Sequence, residues 1–209
     1  MILGVTGGIA TGKSTVTQAL SKLGAAVVSA DEVARDVVKP GPVLEQLVKR
    51  FGTRILLPGG TLDRRALGDI VFADAAARTD LNGIMHPAII AEVERRLAEL
   101  TRRQVPLIVY EAPLLFEAGG EKRVDAVLVV LVDAPGQLAR LVARDGRGEA
   151  DARARIDAQL PLADKVARAD YLIDNSGSPE ETSAQVNALY RHLLDLSQNA
   201  PPAPPKTAE

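Results

Sequence analysis

The chain contains no cysteine, so it has neither a disulfide framework nor a thiolate metal site. It also lacks an excess of charge of either sign. Its 25 basic residues face 27 acidic ones, for a formal net charge of -2. That balance argues against nucleic acid or an anionic membrane surface as the main partner. No apolar run approaches the ~20 residues a membrane helix needs. Met1 is followed at once by Ile-Leu-Gly-Val-Thr, with no basic segment and no cleavage-like site, so no signal peptide is expected. These absences predict a cytoplasmic protein with no nucleic-acid or membrane partner and no evident obligate protein partner.

What is present suits an ordinary globular chain. Apolar residues make up 46% of the 209, enough for one domain or one domain with an insertion. Ile2–Thr6, Ala25–Ser29, Leu107–Glu111 and Ala126–Val132 are short β-branched runs without alternation, with a fifth at Tyr171–Asp174. Such runs predict strands covered on both faces. Helical patterns at Lys13–Leu23 and Pro135–Arg144 follow the first and fourth. Strand, helix, strand predicts a parallel sheet with right-handed crossovers.

Residues 31 to about 104 interrupt this alternation with helical segments: Glu32–Val38, Pro42–Phe51, Arg64–Phe72, Ala75–Met85 and Pro87–Arg103. The predicted organisation is a nucleotide-binding core at 1–31 and 105–199 and a helical insertion at 32–104. A charged segment at about 145–165 reads as a mobile helical hairpin. The Pro-rich residues 200–209 are expected to be disordered.

Gly7-Gly8-Ile9-Ala10-Thr11-Gly12-Lys13-Ser14 matches G-x-x-x-x-G-K-[ST], placed between a strand and a helix as the mechanism requires. Glycines let backbone N–H groups converge on phosphates, and the helix N-terminus favours negative charge. Lys13 is expected on the β- and γ-phosphates, Ser14 on Mg2+, and Thr15 near the α-phosphate. The loop alone does not choose between GTPases, ATPases and small-molecule kinases. No N-K-x-D base-reading motif is present, and the third strand ends Val109-Tyr110-Glu111-Ala112-Pro113, a poor Walker-B match. Glu111 could still reach a metal through water.

Asp31 follows the second strand, at the sheet edge where doubly wound folds bind ligands. A carboxylate there can take the proton of an attacking hydroxyl, or it can cap the helix starting at Glu32. Spacing leaves both readings open. Arg140 and Arg144 share a helix face and suit a lid that closes on phosphates. Arg147, Arg153 and Arg155 follow, the last two read as a solvated face. The competing readings are a nucleoside or nucleotide kinase and a nucleotide-dependent regulatory module.

In order and spacing, these segments resemble the dephospho-coenzyme A kinase family. The resemblance rests on Val5–Thr15, Ala30–Arg35, Leu62–Leu67, Val71-Phe72, His86-Pro87, Pro113–Glu117, Arg140–Arg144, Gln159 and Ile173–Gly177. It implies a P-loop α/β three-layer sandwich with a five-stranded parallel sheet, an inserted helical substrate domain and a lid. It implies ATP and Mg2+, and phosphorylation of the ribose 3′-hydroxyl of dephospho-CoA, the last step of CoA synthesis. Asp31 becomes the base, with Lys13 and Arg140 stabilising charge. Gly8, Ala10, Thr11, Gly12, Ser14, Thr15, Arg144 and Asn175 fall on the nucleotide side. Arg35, Arg65, His86 and Leu114 fall on the acceptor side, where Leu114 suits an apolar wall. His86 could equally be a turn into a helix starting at Pro87. The family usually reads Asp-Ala-Asp where this chain has Ser29-Ala30-Asp31, and Gly-Ser where it has Ala10-Thr11. Because alanine tolerates left-handed backbone poorly, ordinary dihedrals are expected at Ala10.

Overall fold

Five strands form the expected parallel sheet: β1 (Ile2–Gly7), β2 (Ala26–Ser29), β3 (Ile108–Glu111), β4 (Ala126–Leu131) and β5 (Tyr171–Asp174), in the order β2-β3-β1-β4-β5. The computed structural model describes residues 1–146 and 148–199. The expected tail at 200–209 and Arg147 lie outside them. The chain divides into two units. One is Met1–Val27 with the described residues from Glu99 onward, and the other is Val28–Ala98.

The first unit is built on a sheet whose central strands are buried on both faces. Leu3, Val5, Leu128, Val130 and Ile173 lie on one face, packed with Val16 and Leu20 of α1 (Lys13–Lys22) and Val186 and Leu193 of α9 (Pro179–Asn199). On the other face Gly4 lies so close to Leu115 and Val124 that a Cβ there would crowd both. Two apolar faces explain why the strands read as continuous runs rather than alternating ones. Register brings the C-terminal ends together: Gly7 pairs with Val130, Val5 with Glu111 and Leu131 with Asp174. The loop after β1 therefore opens where β3, β4 and β5 also end. From this edge α6 (Ala134–Asp145) leaves β4, and α7 (Glu149–Asp157) and α8 (Leu162–Ala167) complete the expected helical segment before β5.

The second unit holds α2 (Ala30–Asp36), α3 (Pro42–Phe51), α4 (Arg64–Ala73) and most of α5 (Ala75–Arg102). Its own core gathers Leu47, Phe51, Ile55, Leu67, Val71 and Ala77. One expectation fails here. The two helices predicted on either side of His86 are one helix, with Pro87 inside it. Proline removes one ladder hydrogen bond and presses on the carbonyl four residues back. That residue is Gly83, and the helix nevertheless continues through Pro87 to Arg102.

Candidate active site

The loop from Gly8 to Gly12 joins β1 to α1. Gly12 is left-handed, φ 90° and ψ 24°, and a Cβ on it would collide with the Asn175 amide. Ala10 corrects the sequence expectation. Its φ is 62°, in the left-handed region that costs a non-glycine residue about 1–3 kcal/mol. The loop closes as a turn, Thr11 N–H to the Gly8 carbonyl at 3.4 Å, with Ala10 in the third position, where several turn types need positive φ. Turn geometry thus overrides the side-chain preference.

Side chains frame this loop from four directions. Thr11 Oγ1 donates to the Gly8 carbonyl at 3.0 Å. Gln137 Nε2 donates to the Ile9 carbonyl at 2.9 Å, and the Ile9 N–H donates to Gln159 Oε1 at 2.7 Å. Asn175 Nδ2 donates to the Thr11 carbonyl at 2.8 Å, while its Oδ1 accepts from Thr182 Oγ1 at 2.9 Å. Asn175 is buried, so its amide serves the loop directly. Lys13 is buried to 8% exposure and donates to the carbonyls of Gly7 at 3.2 Å and Gly8 at 2.8 Å.

Ser14 Oγ donates to Glu111 Oε1 at 3.1 Å. A hydroxyl and a carboxylate together at the sheet edge are hard oxygen donors of the kind Mg2+ prefers. Among the described residues no group of three or more His, Asp or Glu side chains is arranged for a metal.

Arg140 joins the loop. Its Nη2 donates to the Asn175 carbonyl at 2.9 Å, and a Cβ on Gly12 would lie 3.9 Å from its Nη1. Arg144, one turn on, instead pairs with Asp145 at 2.8 Å, and Arg155 pairs with the same carboxylate. The Arg144 hydrogen bond, aided by Arg155, holds the Asp145 carboxyl down at about 2. Arg153 pairs with Glu149 at 2.6 Å, both well exposed, a contact of little energetic weight.

The base of the α7–α8 segment is fixed by an ion pair whose lysine is buried. Lys165 is fully buried and reaches Glu117 at 2.8 Å and the Pro113 carbonyl at 3.2 Å. Burial alone would raise the Glu117 pKa, but the Lys165 hydrogen bond and backbone donors outweigh it and lower it. The Leu160 N–H also donates to Glu117, at 3.2 Å. Leu114, beside this anchor, is half exposed. A hollow of about 680 Å3 along the Pro135–Leu138–Val142 side of α6, also lined by Glu149 and Arg153, contains none of the loop residues.

In the second unit, Ser29 is the residue that caps α2, accepting from the Glu32 N–H at 3.4 Å. This overturns the reading of Asp31 as the cap. Asp31 sits exposed in the first turn, two residues beyond β2. Arg35 Nε donates to the Asp31 carbonyl at 3.1 Å. Arg65 is exposed in the first turn of α4, which Asp63 caps through 3.0 Å bonds from the Arg65 and Ala66 N–H groups. His86 is exposed on α5.

Gln137, Thr182 and Lys165 were not singled out from sequence. Gln137 had one usable signal, because it lies three residues before Arg140 on the same helix face. Lys165 had none, since its partner Glu117 is distant in the chain, and Thr182 had none, since the loop carbonyl it serves through Asn175 is distant in the chain.

A family model described as dephospho-CoA kinase matches residues 1–181. The chain belongs to the dephospho-CoA kinase family. A dephospho-CoA kinase of Syntrophotalea carbinolica is 51% identical over 195 residues, 93% of this chain and 92% of that relative. A Thermus thermophilus crystal structure superposes with a TM-score of 0.78 at 35% identity, covering 94% of this chain and 97% of that one. The dephospho-CoA kinase of Campylobacter jejuni gives 0.74 at 28%, covering 93% and 97%. The fold is that of a P-loop kinase. Among the described residues no helix is long and apolar enough to cross a membrane.

Proposed function

We propose that the chain transfers the terminal phosphoryl group of ATP to the ribose 3′-hydroxyl of dephospho-CoA, the final step of CoA biosynthesis. The observation that carries this is the family match across both units, joined to a phosphate loop whose lysine, serine and flanking arginine are all in place. In the step, the acceptor oxygen forms a bond to the γ-phosphorus while the bond to the β–γ bridging oxygen breaks. The hydroxyl proton passes to the Asp31 carboxylate, and ADP leaves.

Lys13 and Arg140 stabilise charge on the phosphoryl oxygens. Ser14 and Glu111 would hold Mg2+, which when bound neutralises phosphate charge. Thr15 and the N–H groups from Gly8 to Gly12 cradle the phosphates. Arg144 joins them by leaving Asp145 when the 145–165 lid moves. Arg35, Arg65, His86 and Leu114 bind the acceptor, with the 32–104 insertion as its domain and the cytoplasm as its setting.

The test is ADP release from ATP with dephospho-CoA, nucleosides or shikimate offered separately. Release that requires dephospho-CoA is expected. Release with another alcohol instead would keep the kinase and discard the substrate. Steady hydrolysis without any acceptor would favour a regulatory module.

A further inference from the structure

The left-handed Ala10 needs something to hold it. A turn with positive φ at its third residue relaxes by flipping the peptide between its second and third residues. Here that is the Ile9–Ala10 peptide, and after the flip Ala10 would reach a negative φ that suits its Cβ. Two glutamines oppose this motion. Gln137 Nε2 holds the carbonyl of that very peptide at 2.9 Å, and Gln159 Oε1 holds the preceding Ile9 N–H at 2.7 Å.

The two grips come from different elements. Gln137 lies on α6 at 7% exposure. Gln159 lies between α7 and α8, next to Leu160, whose N–H is tied to Glu117. Gln137 approaches so closely that a Cβ on Gly8 would strike its amide. Fixing the Ile9 carbonyl also fixes the Ala10 N–H, which points the opposite way on the same planar unit. Converging N–H groups are what a phosphate loop offers its ligand.

We infer that Gln137 and Gln159 are positioning residues that lock the Ile9 peptide and so keep the strained Ala10 turn in its phosphate-binding form. Neither residue needs to touch the nucleotide. A residue that merely filled space would act alike whatever stood at position 10. A residue that opposes the flip should matter less once glycine, which accepts positive φ freely, replaces the alanine.

The experiment measures ATP binding by calorimetry without acceptor, so it stands apart from the choice of acceptor in the proposed reaction. Gln137→Met keeps bulk and removes the donor. It should weaken ATP about threefold to tenfold, the worth of one hydrogen bond, and leave the KM for dephospho-CoA unmoved. In an Ala10→Gly background the same change should cost less than about twofold. Gln159→Ala, at a half-buried site, is run through both backgrounds as well, and decides the matter if Gln137→Met does not fold. An undiminished loss in the glycine background, or no loss in the alanine one, overturns the inference. So does an equal rise in the KM for dephospho-CoA.

Discussion

The two units carry their proposed functional residues in opposite ways. Around the phosphate loop the chain's own polar atoms hold one another: Asn175 on Thr11, Gln137 and Gln159 on Ile9, Lys13 on Gly7 and Gly8. In Val28–Ala98, Asp31, Arg35, Arg65 and His86 stand exposed on helices whose core lies beneath them. Under the proposed function the contrast follows from the ligands. Phosphate is recognised by backbone N–H groups, which need a backbone locked in place. An acceptor with many polar groups can be met by side chains on a stable helical surface.

The sharpest way to break this comparison is at Asp31. Asp31→Asn should lower turnover about 10²- to 10⁴-fold, while ATP titration and thermal stability stay near those of the parent. Near-parental turnover would remove Asp31 from the chemistry, and the Ser29 cap leaves it no other local task. Next comes Lys13→Met, which should cost about 10²- to 10³-fold in turnover. Unlike the Asp31 change, it should also weaken ATP. If the two variants share one binding phenotype, the division between the units fails.

Stability separates the units at a smaller scale. Asn175→Ala leaves the Thr11 carbonyl and Thr182 hydroxyl without their buried partner, and should cost about 1–3 kcal/mol together with ATP affinity. Arg65→Ala, on an exposed helix start, should change stability by no more than about 0.5 kcal/mol and raise only the KM of the acceptor. Denaturant midpoints and the two KM values check this pair.

The smallest effect is acid sensitivity in the second unit. Hydrogen bonds from Lys39 and Arg96 hold the Asp36 carboxyl at about 2, and those from Arg95 and Arg96 hold Glu92 at about 2. Both values lie below the ordinary carboxylate range of about 4. Their contribution is therefore complete above about pH 4 and is lost as pH falls towards 2. Amide exchange on α2 and α5 should speed up across that window, and Arg96→Gln should flatten the response.

Much of this was legible in advance, for identifiable reasons. The central strands β1, β3 and β4 are buried on both faces, so their apolar runs are uninterrupted and their positions plain. The G-x-x-x-x-G-K-[ST] spacing fixed the loop because strand, glycines and helix must follow in that order. What failed depended on neighbours remote in the chain. Ala10 is left-handed because a turn and two glutamines from beyond position 130 hold it. Asn175 could be placed on the nucleotide side only through the resemblance, because its bond to the loop reaches a carbonyl 164 residues away. Only the cap was within local reach, since Ser29 is a preferred N-cap residue that the carboxylate at Asp31 overshadowed.

The most direct test of the whole account follows the phosphorus itself. ATP labelled at the γ-position is incubated with the chain and dephospho-CoA, and the label is traced. The account predicts one labelled phosphoryl group per ADP, esterified at the ribose 3′-oxygen. Label recovered as inorganic phosphate at a rate indifferent to dephospho-CoA would contradict it.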